Sequence, residues 1–187
     1  MKFIMIHMLD LPQKLEMEKF KMKELFEKIR GLTAIDLKHK TKEELFLSLL
    51  EEVGELSREI MIAEKVYGNT YKKPSEDGVL GESVDSFICS MAMYFAEDGV
   101  ELEELVEKLL FEGIPKFYLD TIAHNGTSYF MHSIPELLFK KEYLLCANVF
   151  YKIYYCYSDN KENAKQEFMN YCNKKLNKWI NKTKEQT

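Results

Sequence analysis

Glycine and proline are scarce in this chain, with 8 and 4 residues among 187. Residues that interrupt helices are therefore few. Apolar and polar residues also hardly alternate in the way that half-buried strands require. Helix is the remaining interpretation for most of the chain, and the sequence predicts an all-α protein.

The four cysteines lack the spacing of a metal or redox motif. None of them forms a CxxC pair, and no histidine stands beside them at ligand spacing, which excludes a zinc site and a dithiol centre. We expect them to be small core residues in a reducing compartment. They are Cys89, Cys146, Cys156 and Cys172.

Long apolar runs are absent too, so the sequence predicts no membrane span. The first residues, "MKFIMIHML", are apolar but short, and they continue into a charged stretch without a small-residue cleavage site. We therefore predict a cytoplasmic protein whose first residues form a short strand or a mobile extension.

The formal net charge of −5 provides no basic surface for a nucleic acid polymer. At 187 residues with 46% hydrophobic residues, the chain is long enough to bury a core and corresponds to one folded domain. A polyanionic substrate would therefore need local cations or a metal ion.

Helix start and stop signals divide the first half of the chain. Asp10 and Pro12 are expected to open a first helix that Gly31 ends. Thr41 and Glu44 form a capping-box signature that predicts a second helix over about 42–66. Turn residues then fill the connection, and further helices are expected over about 80–97 and 101–111.

Two more capping signatures divide the second half. Ser133 with Glu136 predicts an aromatic-rich helix as far as Tyr157, after a loop at "HNGTS". Asp159 with Glu162 predicts a last helix to about residue 181. The whole chain, 1–187, is expected to be a single all-α domain. Its predicted parts are an N-terminal extension (1–21), a metal-binding helical core (22–110), an inserted helical segment (111–160) and a C-terminal helix (161–182).

Two pairs of carboxylates stand beside apolar helix faces. On a wheel at about 100° per residue, Glu52 lies at the edge of the apolar arc of the second helix, with Glu55 about 60° further round. The third helix is apolar on almost every side, yet it carries Glu82 and Asp85 one turn apart. The same side carries the small residue Ala92, so there is room beside the acids.

If the two helices pack antiparallel, these four carboxylates meet at one place. Like charges repel strongly at close range, and a hard divalent cation reverses the sign of that energy. Ligation by oxygen alone suits Mg²⁺ or Mn²⁺, and Mg²⁺ sites commonly bind substrate phosphates. The sequence therefore favours a metal site between these helices.

Other interpretations remain open for these acids. An EExxE pattern also occurs on solvent-facing helices, where it only solvates a surface. A di-iron bundle is disfavoured, because it needs Glu-x-x-His pairs on its helices and none of the four histidines follows a glutamate by three residues.

The acidic motifs resemble the signature of a known family, the all-α nucleoside triphosphate pyrophosphohydrolases, or MazG-like and dimeric dUTPase group. That signature is EExxE, a variable gap and ExxD, and here it falls on Glu51, Glu52, Glu55, Glu82 and Asp85. The match covers about residues 33–97. The resemblance implies a MazG-like four-helix-bundle core, here with additional C-terminal helices.

The resemblance also implies roles for individual residues. Glu52, Glu55, Glu82 and Asp85 would bind Mg²⁺, with Mn²⁺ possible, and Glu51 would be a catalytic acid that orients the attacking water. The enzyme would split a nucleoside triphosphate into the monophosphate and pyrophosphate. It would act as a homodimer that completes its site from two chains.

Lysines are the expected partners of the substrate phosphates. Lys73 lies in the turn-rich connection, and Lys175 and Lys178 lie in the last helix, which resembles the lysine-bearing C-terminal helix of MazG-like chains. In those chains this helix follows ExxD closely, whereas about seventy residues intervene here. Each lysine can also be read as a solvated surface charge.

Two alternatives to a general nucleotide pyrophosphohydrolase stay open. One is a dUTPase-like specificity for deoxyuridine triphosphate. The other is a non-catalytic helical protein that binds a nucleotide or a partner, although all five acids of the signature are present.

Overall fold

Six helices account for most of the residues that the structure describes. This computed structural model covers residues 3–97, 101–105 and 127–185. A helical turn at 102–105 accompanies the six helices, and the described ranges contain no strand, which confirms the all-α prediction. The helices are α1 (Phe3–Asp36), α2 (Lys42–Ala63), α3 (Gly78–Glu97), α4 (Ser128–Phe139), α5 (Tyr143–Tyr157) and α6 (Ala164–Glu185).

Helix α1 is longer than the sequence predicted at both ends. It begins at Phe3, so the expected short strand is wrong, and the expected start beside Asp10 and Pro12 lies inside the helix. It also continues through Gly31, because Leu32 and Thr33 beyond it are buried and their burial outweighs the weak helix propensity of glycine. The domain boundary predicted after residue 21 therefore falls within α1.

The capping box at the start of α2 is confirmed. The Thr41 Oγ1 accepts a hydrogen bond from the Glu44 backbone N–H at 3.2 Å, and the Glu44 carboxylate accepts one from the Thr41 N–H at 2.7 Å. The helix ends at Ala63, a few residues before the predicted end. Lys65 then adopts a positive φ of 52°, which turns the chain into the connection.

Helix α3 lies at the centre of the fold, as its apolar circumference predicted. It packs against α1, α2, α5 and α6. Helices α2 and α3 run antiparallel. Lys42 at the start of α2 pairs with Glu97 at the end of α3 at 3.5 Å, and Glu59 near the end of α2 accepts a hydrogen bond from Ser75, just before α3. This arrangement brings the middle of α2 against the first turns of α3.

One helix predicted from Ser133 to Tyr157 is in fact two, and that prediction was wrong. The helix is interrupted between α4 and α5, where Lys141 has a φ of 57°. Ser133 and Pro135 lie inside α4 rather than at its start. The break allows Ile134 and Tyr143 to be buried in the same core from two differently directed helices.

The remaining boundaries are confirmed only in part. Helix α6 begins at Ala164 rather than beside Asp159, and it continues to Glu185. Most of the helix predicted over 101–111, most of the "HNGTS" loop and the first part of the inserted segment lie outside the described residues. Within the described ranges, each helix is too short or too polar to traverse a lipid bilayer.

Candidate metal centre

Three carboxylates converge between α2 and α3. One oxygen each from Glu52, Glu82 and Asp85 can be chosen so that all three lie within 4.8 Å of one another. Glu82 and Asp85 are each only 6% exposed, and Glu52 is partly buried. The antiparallel packing of two helices, each carrying acids one turn apart, produces this cluster.

Burial and mutual repulsion make these acids hard to ionise. Burial, followed by the charges of Asp85 and Glu82, raises the pKa of Glu52 to about 7. Burial and the charge of Glu55 likewise raise the pKa of Glu82 to about 7. Burial also raises the pKa of Asp85, although Lys175 opposes that effect. The cluster therefore needs positive charge to hold all its carboxylates ionised near neutral pH.

Lys175 supplies one positive charge. Its ammonium donates hydrogen bonds to the Asp77 Oδ2 at 2.8 Å and to the Asp85 Oδ2 at 2.5 Å. Burial alone would lower its pKa, but these two carboxylates raise it well above the ordinary value. The sequence had predicted a phosphate contact for Lys175. The structure places it against the carboxylates.

One carboxylate oxygen of Asp85 remains without a hydrogen-bond partner among the described residues. The Oδ1 of Asp85 is buried and has no hydrogen-bond partner in the part of the chain that the structure describes. An unpaired buried carboxylate oxygen costs free energy. It points to a further cation at this position.

The other two acids of the signature flank the cluster. Glu55 is partly buried, and its charge raises the pKa of both Glu52 and Glu82, but it is not one of the three acids that converge within 4.8 Å. Glu51 is exposed and lines a cavity next to Glu52. The five acids therefore range from buried (Glu82 and Asp85) through partly buried (Glu52 and Glu55) to exposed (Glu51).

The other predicted lysines lie further from the acids than Lys175. Lys178 is exposed on α6, and its charge lowers the pKa of Asp77 and Asp85 only as a minor contribution. Lys73 is exposed in the connection between α2 and α3. Among the described residues, the cation that contacts the cluster directly is Lys175.

A cavity of about 270 Å³ adjoins the cluster beside Glu52. Its wall includes Cys89 and also Ala92, the small residue that the sequence placed next to the acids. Its lining combines apolar residues of four helices with polar and charged groups. The lining is Ile29, Leu32, Thr33, Asp36, Lys40, Leu45, Ser48, Glu51, Glu52, Ile88, Cys89, Ala92, Trp179, Lys182 and Thr183.

Two supporting groups were not found from the sequence. Asp77, which the sequence suggested only as a turn residue, accepts hydrogen bonds from Lys175 and, at 2.9 Å, from the Tyr171 hydroxyl. Its place directly before α3, where acids are favoured at a helix start, was a signal that could have identified it.

The second group is Glu59, which is 1% exposed. It accepts a hydrogen bond from the Ser75 N–H at 3.0 Å, and the Ser75 hydroxyl in turn contacts Glu82 at 3.5 Å. Glu59 therefore fixes the connection that supports a cluster carboxylate. A glutamate four residues after Glu55 on the same helix face could have suggested this role.

Comparison of the chain with family models, with curated proteins and with solved structures found no match.

Proposed function

We propose that this protein is a Mg²⁺-dependent nucleotide pyrophosphohydrolase, with Mn²⁺ as a possible substitute, which converts a nucleoside or deoxynucleoside triphosphate into the monophosphate and pyrophosphate. We further propose that its helices form a MazG-like four-helix-bundle core. The observation that carries the proposal is the convergence of Glu52, Glu82 and Asp85, together with a buried Asp85 oxygen that has no hydrogen-bond partner among the described residues.

The donor set fits a hard divalent cation. All candidate ligands are carboxylate oxygens, which Mg²⁺ and Mn²⁺ prefer over nitrogen or sulfur. Lys175 neutralises only part of the negative charge, and Glu52 and Glu82 keep a pKa of about 7 in its presence. A bound cation would remove this residual repulsion, with Glu55 as a further ligand from the flank.

A divalent cation at this position would neutralise phosphate charge and acidify a bound water. The residues of the chain supply the remaining requirements. Lys175 fixes Asp85 and holds α6 against α3. Glu51, which lines the cavity beside Glu52, would orient the attacking water.

The adjoining cavity offers a place for the sugar and base of the substrate. It joins Glu52 on one side to apolar residues and Trp179 on the other. A triphosphate held at the carboxylates could therefore extend its organic part into this space. Lys73 and Lys178 retain their proposed role as phosphate contacts, since both are exposed and free to reorient towards a bound anion.

We also propose that the protein is cytoplasmic and forms a homodimer. A reducing compartment agrees with four free cysteines. The exposed apolar residues Leu47, Leu50 and Met61 on α2 support self-association.

Pyrophosphate release from a panel of ribo- and deoxyribonucleoside triphosphates, with Mg²⁺ and with EDTA, tests the activity. We expect Mg²⁺-dependent release by the native chain. The variants Glu52→Gln and Asp85→Asn should lose activity by about a hundredfold or more, because removing a metal ligand costs several kcal/mol of transition-state stabilisation. The panel also decides between a general enzyme and a dUTPase-like specificity.

Glu136→Gln is the matched control. It removes an exposed carboxylate on α4 that pairs only with Lys140 among the described residues, so its activity should equal that of the native chain. Absence of release from every nucleotide by well-folded native protein would contradict the proposal. Stabilisation by Mg²⁺ and by a nucleotide without hydrolysis would instead indicate a non-catalytic nucleotide-binding protein.

A further inference from the structure

The outward face of α2 carries an apolar stripe. Leu47, Leu50 and Met61 are 62%, 41% and 38% exposed. At about 100° per residue, all three lie within about 40° of Gly54 around the helix axis, on the side opposite to the face that packs on α3. An exposed apolar stripe along one helix face is typical of a protein contact surface.

Exposed apolar residues also lie near both ends of α2. Phe139, which is 90% exposed, lines the same groove as Leu47 near the start of the helix. Val66, which is 42% exposed, follows the end of the helix. Exposed apolar side chains therefore lie towards both ends of α2, with Gly54 between them.

Gly54 stands in the middle of this stripe. It lies inside the helix, and a Cβ at this position would meet no atom within 4 Å. Glycine weakens a helix relative to alanine, and nothing packed against Gly54 in the described structure requires it. A glycine on a contact face lets two helices approach closely, since the distance between helix axes depends on the side chains at the contact.

Charged residues flank the stripe in a self-complementary pattern. Glu51 and Arg58 lie on the same side of the stripe, about one turn before and one turn after Gly54. A two-fold axis through Gly54 with antiparallel helices therefore places Arg58 of each copy opposite Glu51 of the other. With parallel helices, Glu51 and Arg58 of one copy would instead face the other side of the stripe in the second copy, where Leu50 and Met61 lie.

Arg58 is able to make such a contact. Its Nη2 lies 3.3 Å from the Glu59 carboxylate of its own chain, and its side chain is 50% exposed. A guanidinium has five N–H donors, so one contact to Glu59 leaves others for a second carboxylate.

We infer that a second copy of this chain docks on this face, with the two α2 helices antiparallel and Gly54 at the two-fold axis. Leu47 of one copy then packs near Met61 of the other, and Glu51 pairs with Arg58 across the interface. The inference gives the proposed homodimer a defined surface. This arrangement also brings the Arg58 guanidinium of the second copy next to Glu51, at the edge of the proposed active site.

The first test is the mass of the protein in solution, measured by light scattering across a dilution series. We expect a dimer for the native chain and a monomer for Gly54→Arg. Gly31→Arg is the matched control, because Gly31 is also an exposed glycine within a helix whose Cβ would meet nothing within 4 Å. It should remain dimeric, and circular dichroism should show unchanged helix content in both variants.

The second test is the register, measured by disulfide cross-linking under mild oxidation. Gly54→Cys should cross-link with itself, since the two positions meet at the axis. Leu47→Cys and Met61→Cys should cross-link when the two variants are mixed, but neither alone, because equal positions lie at opposite ends of the interface. The native chain, with its own four cysteines, provides the background.

A native chain that is monomeric at every concentration would overturn the inference and leave the face to a different partner. A dimer that survives Gly54→Arg and does not cross-link through Gly54→Cys would overturn it as well. Neither readout depends on hydrolysis. A monomer that releases pyrophosphate would therefore refute only the interface, and a dimer with these cross-links but without hydrolysis would refute only the proposed activity.

Discussion

Replacing Glu82 with glutamine should change the stability of the protein in opposite directions with and without a divalent cation. Glu82 is 6% exposed, and burial together with the charges of Glu55 and Asp85 raises its pKa to about 7. Above that pH and without metal, the folded protein holds this carboxylate charged against its neighbours. Glutamine has a similar shape without the charge, so Glu82→Gln should be more stable than the native chain in EDTA.

The pKa shift sets the size of the effect. A rise from 4.5 to about 7 corresponds to at most about 3.4 kcal/mol, since one pKa unit is about 1.36 kcal/mol. Solvent at the partly buried edge of the cluster screens the repulsion and reduces the expected gain to about 1 kcal/mol. In a protein of this length, about 1 kcal/mol moves the melting temperature by about 2–4 °C.

With Mg²⁺ bound, the native chain should instead be more stable than Glu82→Gln. At a Mg²⁺ concentration of about 100 times its dissociation constant, the native chain should gain about 2.7 kcal/mol, and Glu82→Gln should lose most of that gain because a ligand is missing. Thermal unfolding followed by circular dichroism, about one pH unit above the pKa of Glu82, measures both effects. Glu76→Gln, at an exposed residue of the connection before α3, controls for the change in net charge.

Two results would refute this reasoning. If Glu82→Gln were less stable than the native chain in EDTA, Glu82 would not be under repulsion in the fold. If it kept the full stabilisation by Mg²⁺, the cation would bind elsewhere.

Three further predictions concern the same region. Without metal, the free energy of unfolding should fall as the pH rises from about 4.5 to about 7, because folded Glu52 keeps a proton that the unfolded chain releases. Urea unfolding across this pH range measures the effect, and a rise in the free energy of unfolding would contradict the raised pKa of Glu52. Lys175→Met should lower the free energy of unfolding without metal by about 3 kcal/mol, measured in urea, because it leaves the buried Asp85 carboxylate without its cation. A change below about 0.5 kcal/mol would show that the Lys175–Asp85 pair does not stabilise the fold. Gly81→Ala should cost about 1–3 kcal/mol despite the better helix propensity of alanine, since its Cβ would lie 2.4 Å from the Asp77 Cβ; a stabilised variant would contradict the close packing.

The sequence predicted the elements whose signals are local. The capping box at Thr41 and Glu44 depends on residues three apart, and it fixes the start of α2. The apolar circumference of α3 depends on composition alone, and it places this helix at the centre. Because both helices have strong local signals, the convergence of acids from α2 and α3 followed from one assumption, their antiparallel packing.

The sequence was less informative where distant segments meet. Lys175 reaches Asp85 across 90 residues of chain, and only the packing of α6 on α3 brings them together. The break before α5 has a similar origin, since the positive φ of Lys141 is stabilised by the burial of two helices on either side of it and not by a turn residue at that position. Helix α1 passes Gly31 for the same reason. In each case, burial in the tertiary structure outweighs the local conformational propensity of the residues.

Anomalous diffraction from crystals grown with Mn²⁺ and a non-hydrolysable nucleoside triphosphate analogue would test the central claim most directly. We predict an anomalous peak in contact with carboxylate oxygens of Glu52, Glu82 and Asp85, next to the triphosphate, with the base directed into the adjoining cavity. A triphosphate bound elsewhere, or crystals saturated with Mn²⁺ that show no peak between these three carboxylates, would contradict the account.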